Sequence, residues 1–328
     1  MGTQIATIRN TSGNWVQFNE EALVKDDLLY CVKGANETSY FAYIDSATDT
    51  RLYVFKCTEA GTITDGSNFC TITTGGSDKR IFLNLTRNSD TLYVGCDGET
   101  EIHKFNTSDM VKGTSITTPD NNVQNMRVDK EGVLTVISHN GTNTEVDRYD
   151  TNNSDTQLSN SIALPGTNLY TAMYFTIENY IVLGGPVVGT ARITCYSLSG
   201  STYTDEGYIT TTAIDVEDMT VDVYNNVVWL DGSTTIRKAK VVGETGSTIY
   251  SSDRTDPVYG ISTDSDGNYF FSTFTATDVK NYWQYADDND ASSFTSGNFT
   301  TIRSNLANKC FNVDSRGYDI SGNGTAGR

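Results

Sequence analysis

Short apolar runs alternate with polar turns along the whole chain. The runs are "YFAYI" from Tyr40, "TLYVG" from Thr91, "VLTVI" from Val133, "YIVLG" from Tyr180, "VVWL" from Val227, "NYFFS" from Asn268 and "GYDIS" from Gly317, and they recur every 41 to 51 residues or so. Each is too short for a helix and is rich in β-branched and aromatic residues, which predicts strands. No window carries a sustained 3.6-residue apolar stripe with helix caps, so almost no helix is predicted.

Four of these strands follow the same turn chemistry. "VDKEGVL", "VDVYNNV", "TDSDGNY" and "VDSRGYD" each put Asp at the turn start and Gly or Asn near its end. A tight hairpin needs a residue there that tolerates positive φ. Gly132, Gly267 and Gly317 are therefore expected at positive φ. "LTRNSDTL" and "FTIENYIV" are looser versions of the same turn.

A third strand follows each second one, as in "TEIHKFNTSD", "TEVDRYDTNN", "ARITCYSLSG", "TTIRKAKVVG" and "KNYWQYADDN". The N-terminal "TQIATIRNTS" matches "TEIHKFNTS", so Gln4 to Asn10 reads as a third strand and "NWVQF" from Asn14 as a fourth. At the other end, Asn308 to Val313, the turn "DSRG" and Tyr318 to Ser321 read as a first and second strand with nothing after them. Two strands in a hairpin are marginal alone. The two ends thus complete one sheet.

This pattern resembles a seven-bladed β-propeller. The "VD-x-x-G" hairpin is similar to the repeat of NHL, YVTN and SMP-30-type propellers more than to WD40, because no Gly-His or Trp-Asp dipeptide occurs. The resemblance implies an all-β chain of four-stranded antiparallel blades forming a single domain, residues 1–328. Its last blade would combine about 308–328 with 1–18, closing the ring around a central channel. Fold alone does not imply function.

Composition agrees with a β protein: 48 Thr, 28 Ser, 28 Asn and 28 Gly stand against 15 Leu. Asp outnumbers Glu 29 to 12, and Asp is a turn residue, so the acidic excess falls in loops. A net charge of −18 repels phosphate backbones and anionic lipid, and no Lys/Arg cluster offsets it, which excludes nucleic acid as the expected partner. No 18-residue apolar run occurs, so membrane insertion is not expected, and the N-terminus lacks the h-region of a signal peptide. Cys31, Cys57, Cys70, Cys96, Cys195 and Cys310 show no CxxC spacing, which argues against zinc. Cys57 and Cys70 could face each other across one hairpin, a pairing the sequence leaves open; the other cysteines read as small apolar strand residues, as in a chain folded in a reducing compartment.

Candidate chemistry is sparse. His103, in a third strand, and His139, ending a second strand, are the only histidines, too few for a three-His metal site. Asp264, Asp266 and Asn268 alternate as in a calcium loop, but no Glu follows at the twelfth position, and a hairpin turn accounts for them. "GETGS" and "LGGPVVGT" lack the Gly-Lys-Ser/Thr ending of a phosphate loop. Sialidase-type boxes and serine nucleophile elbows are absent. No catalytic residue, metal ligand or cofactor is assigned. The reading is a non-enzymatic structural or attachment propeller, a virion or phage surface protein folded in cytoplasm, binding another protein or a surface glycan through loops on one face. The alternatives are a glycoside hydrolase or lyase at the channel mouth, since two carboxylates suffice for glycoside hydrolysis, and a cytoplasmic NHL- or WD-type scaffold.

Overall fold

In a computed structural model of the protein, the second strands run through the middle of successive antiparallel sheets. The described residues comprise the strands from Gln4 to Asn323 and the turns chiefly between residues 79 and 185, with side chains mainly from residue 30 to 240. The turns that hold Asp264, Asp266, Gly267 and Gly317 lie outside the described residues. Every regular element among the described residues is a strand.

The first sheet orders Leu29–Lys33, Ser39–Ile44 and Arg51–Cys57, with Ile63–Thr64 and Phe69–Thr71 both pairing with Arg51–Cys57. The second holds Ile81–Leu85, Thr91–Cys96, Glu101–Asn106 and the short Ile116–Thr117. Val123–Val128, Val133–His139, Thr144–Asp150 and Thr156–Ala163 make the third. The fourth contains Ala172–Phe175, Ile181–Gly185, Arg192–Ser199 and Thr202–Thr210. The fifth contains Val216–Val221, Val227–Asp231, Thr235–Ala239 and Tyr250–Asp253, and the sixth Val258–Thr263, Tyr269–Phe274, Val279–Gln284 and Thr300–Arg303. In the terminal sheet Gln4–Thr11 lies between Asn14–Ala22 and Tyr318–Asn323, which pairs in turn with Asn308–Val313.

The sheets pack face to face, which explains why the second strands are apolar on both faces rather than alternating. Leu92, Val94 and Cys96 of the second sheet meet Ala42, Leu52 and Val54 of the first. Tyr93, between them in sequence, points the other way, onto Met126, Leu134 and Val136 of the third. The fourth sheet does the same: Ile181 and Leu183 pack with Ile137 and Val146, while Val182 packs with Val216 and Trp229. Full burial of such a side chain stabilises by about 1.5–3 kcal/mol. Glycine marks a close approach between sheets, because a Cβ on Gly184 would lie 2.9 Å from Val216 Cγ1.

The first strand of each sheet is an edge, and its neighbours are the first strands of the adjoining sheets rather than a hydrogen-bonded partner. Asn308–Val313 touches both Val258–Thr263 and Leu29–Lys33. Buried edge backbone needs polar partners, and here side chains from the preceding sheet supply them. Asn84 Nδ2 donates to Met126 O at 2.8 Å and its Oδ1 accepts the Val128 amide at 3.3 Å. Asn125 Nδ2 donates to Thr171 O at 3.2 Å, and Arg127 Nε to Met173 O at 2.7 Å. Asp218 Oδ2 accepts the Ile261 amide at 3.0 Å. Arg80 skips a sheet to donate to Thr171 O at 3.3 Å.

Cys57 and Cys70 do not face each other across the hairpin. The outer position of the first sheet is divided, so Ile63 sits opposite Cys57 whereas Cys70 sits opposite Leu52. The pair does not share a rung; both cysteines are buried and neither is in a disulfide.

Candidate functional site

The repeated turn between first and second strands organises one face. Asp129 Oδ1 accepts the amides of Glu131 and Val133 at 2.8 and 2.9 Å. Asp222 Oδ1 accepts the Asn226 amide at 2.8 Å. Where the sequence has Thr instead, the hydroxyl does the same work: Thr176 Oγ1 accepts the Tyr180 amide at 3.0 Å, and Thr86 Oγ1 accepts those of Asp90 and Thr91 at 3.2 and 3.0 Å. Three residues after the Asp or Thr, the backbone turns left-handed in every case, at Ser89 (φ 58°), Gly132 (83°), Asn179 (70°) and Asn225 (65°). The Gly132 expectation therefore holds, and the looser turns at Thr86 and Thr176 belong to the same set because hydroxyl and carboxylate are interchangeable as acceptors here.

Where three inner strands reach these turns, a cleft of about 340 Å³ opens. Its walls include Arg127, Asp129, Tyr174, Phe175, Val221 and Asp222. The Arg127 guanidinium carbon lies 4.0 Å from the Tyr174 ring centroid, a cation–π contact. The two acids are already bonded. Besides its turn amides, Asp129 accepts Asn179 Nδ2 at 3.0 Å on its second oxygen, which ties the third sheet to the fourth. Asp222 Oδ2 accepts Asn226 Nδ2 at 3.0 Å and lies 3.9 Å from Lys238 Nζ, both side chains being fully buried. No catalytic residue was expected from the sequence, and the sequence pattern did not single out Arg127, whose partners Met173 and Tyr174 come from the next sheet.

Deeper along the inner strands, burial pushes the Asp218 carboxyl up to about 6, with the Ile261 amide and the cations Arg127 and Arg80 pulling the other way. His103 and His139 are not together. His103 is buried, its Nδ1 3.1 Å from Ser115 Oγ, and burial lowers it to about 4. His139 Nε2 is 2.8 Å from Tyr170 O; a carbonyl only accepts, so this nitrogen carries the proton. Burial also lowers His139. Among the described residues, no three His, Cys, Asp or Glu side chains gather as metal ligands would.

No protein-family model and no curated protein matches the sequence. Solved structures do. A catalytically inactive histidine-to-alanine form of virginiamycin B lyase from Staphylococcus aureus, with quinupristin, is similar over 98% of this chain and 99% of its own, at 11% identity and a TM-score of 0.64. The Cps50 (Swd1) β-propeller domain from Myceliophteria thermophila matches 92% of this chain with 97% of its own, at 8% identity and a TM-score of 0.60. A chain of the mitotic checkpoint complex covers 90% of this one with 86% of its own, at 12% identity and a TM-score of 0.59. At these identities the likeness speaks for fold alone. With its antiparallel sheets packed face to face and one turn repeated between them, the chain is a β-propeller.

Proposed function

We propose that the chain is one domain, a closed seven-bladed ring, and that it works without catalysis by docking a protein partner on the face that carries the first-to-second-strand turns. Closure is supported by the terminal sheet, where Gln4–Thr11 pairs with Tyr318–Asn323, and by the contacts of Asn308–Val313 with inner strands on both sides. The observation that carries the functional reading is the state of Asp129 and Asp222. A carboxylate pair for glycoside hydrolysis must present oxygens to the sugar and to water; these oxygens accept backbone amides and Asn side chains instead. Their role is to hold turns.

The choice of a protein partner draws support from a neighbour that is part of a checkpoint complex. Attachment to a surface glycan and display on a virion draw none from the neighbours, so the scaffold setting is the one taken here. The test is a turnover screen over a panel of glycans, with quinupristin added as the compound bound by a structural neighbour. No turnover is expected. Turnover that disappears in Asp129→Asn or Asp222→Asn, with the fold intact, would overturn the reading.

A further inference from the structure

One cation in the cleft is held in place yet unspent. Arg127 is fixed along one edge by the Nε bond to Met173 O and across one face by the Tyr174 ring. Among the described residues, no acceptor bonds either of its Nη nitrogens. The nearby acids do not take them: both oxygens of Asp129 and of Asp222 are bonded as described above, and those of Asp218 accept the amides of Met219 and Ile261. Glu178 accepts the Asn225 side-chain amide.

The rim sets the charge. Arg87 Nη1 donates to Lys130 O at 3.2 Å, bringing both cations to the turn of the third sheet. Together with Arg127 and the buried Lys238 they match Asp129, Glu131, Glu178 and Asp222 in number, on a chain whose net charge is −18. Arg127 is one of those four cations and Asp218 lies within reach of its charge, so an approaching acid is drawn by the guanidinium fork itself and not by the rim around it. Val128, Phe175 and Val221 supply apolar walls for the methylenes that precede a carboxylate. The volume suits one side chain and its flanking backbone rather than a folded domain.

We propose that this cleft is a carboxylate-binding site, in which the two Nη groups of Arg127 receive an acidic side chain of an extended segment of the protein partner. A planar guanidinium clamped in this way pairs with carboxylate through parallel hydrogen bonds that lysine cannot reproduce. The site rests on the protein-docking reading of this face and gives it a chemistry.

The test uses fluorescent peptides on the full chain. A Glu-containing peptide with an amidated C-terminus is compared with its Gln counterpart, and a free-C-terminus peptide without acids tests the other source of carboxylate. The Glu peptide is expected to bind, the Gln peptide to bind about 10- to 100-fold more weakly, and affinity to fall between about 0.05 and 0.5 M salt. Arg127→Lys should lose a comparable factor. Lys130→Glu, on the exposed rim, should also weaken binding and keeps the result interpretable if Arg127 variants fail to fold. Equal binding of Glu and Gln peptides, binding only of the free C-terminus, or no binding at all overturns the acidic-side-chain site. If a protein partner isolated from the native source still binds the Arg127→Lys ring, the docking reading survives and only the carboxylate site falls.

Discussion

Asp218 leaves its own sheet to accept the amide of Ile261 at 3.0 Å, and this bond joins the inner strands of the fifth and sixth sheets. The same device recurs with Asn84 and Arg127 in other sheets. Inner strands of a propeller are unpaired edges, and side chains reaching in one direction around the structure satisfy them. Cutting one such bridge leaves a buried backbone group without a partner, at a cost of about 1–3 kcal/mol. Asn84→Ala is expected to lower stability by about that amount in chemical denaturation. A loss below about 0.3 kcal/mol would show that the edges are satisfied another way.

The Asp218 bridge also has a pH signature. Its folded pKa, about 6, is above the ordinary carboxylate value of 3.8, so the folded state holds the proton more tightly. Between those values the folded protein binds more protons than the unfolded, and stability falls as pH rises, by about 2–3 kcal/mol in all. His103 works oppositely: its folded pKa, about 4, is below 6.5, so its contribution is present above pH 6.5 and is lost as pH falls toward 4. The two offset each other in wild type. The difference in stability between Asp218→Asn and wild type is expected to shift in the variant's favour from pH 4 to pH 7, and a flat difference would refute the buried carboxyl.

Left-handed positions give a third expectation. At Gly132 a Cβ would sit 2.4 Å from Asn152 Nδ2 with φ at 83°, so Gly132→Val is expected to lose about 1–2 kcal/mol or more. Ser89 has the same backbone sign without being glycine, and Ser89→Gly is expected to be neutral or to gain up to about 1 kcal/mol. Thermal melts of the two variants check this; a stabilising Gly132→Val would mean the turn has been misassigned.

Burial pushes the thiols of Cys70, Cys96 and Cys195 up to about 12. Thiolate is the reactive form, so these cysteines are expected to resist alkylation near pH 8 in the folded protein and to react fully in denaturant. Mass spectrometry resolves each site. A Cys57–Cys70 cross-link in the native protein would contradict the register of the first sheet.

The strands and the Asp-x-x-Gly turns were legible in the sequence because each is a local device: Asp129 holds the amide of Val133 four residues on, and Gly132 supplies the φ. Thr86 and Thr176 were harder to read, since a hydroxyl replaces a carboxylate with no loss of acceptor. The bridges at Asn84, Arg127 and Asp218 were not legible at all. Their partners lie 42 to 46 residues away in the next repeat, and they are backbone atoms, which leave no trace in side-chain identity. The relation of Cys57 to Cys70 was left open for a similar reason. Nothing in residues 57 to 70 reveals that the outer strand of the first sheet is split into two short pieces, which moves Cys70 down to the level of Leu52.

Docking of a protein is proposed for the turn face. Quantitative affinity capture from the native source checks this, comparing the wild-type protein with Arg87→Glu plus Lys130→Glu on that face and with Thr142→Glu on the opposite one. Thr142 lies in a second-to-third-strand turn, at the other end of the strands. A protein retained in stoichiometric amount by the wild type and by Thr142→Glu is expected to be lost from the double variant. Equal retention by all three, or loss confined to Thr142→Glu, would contradict it.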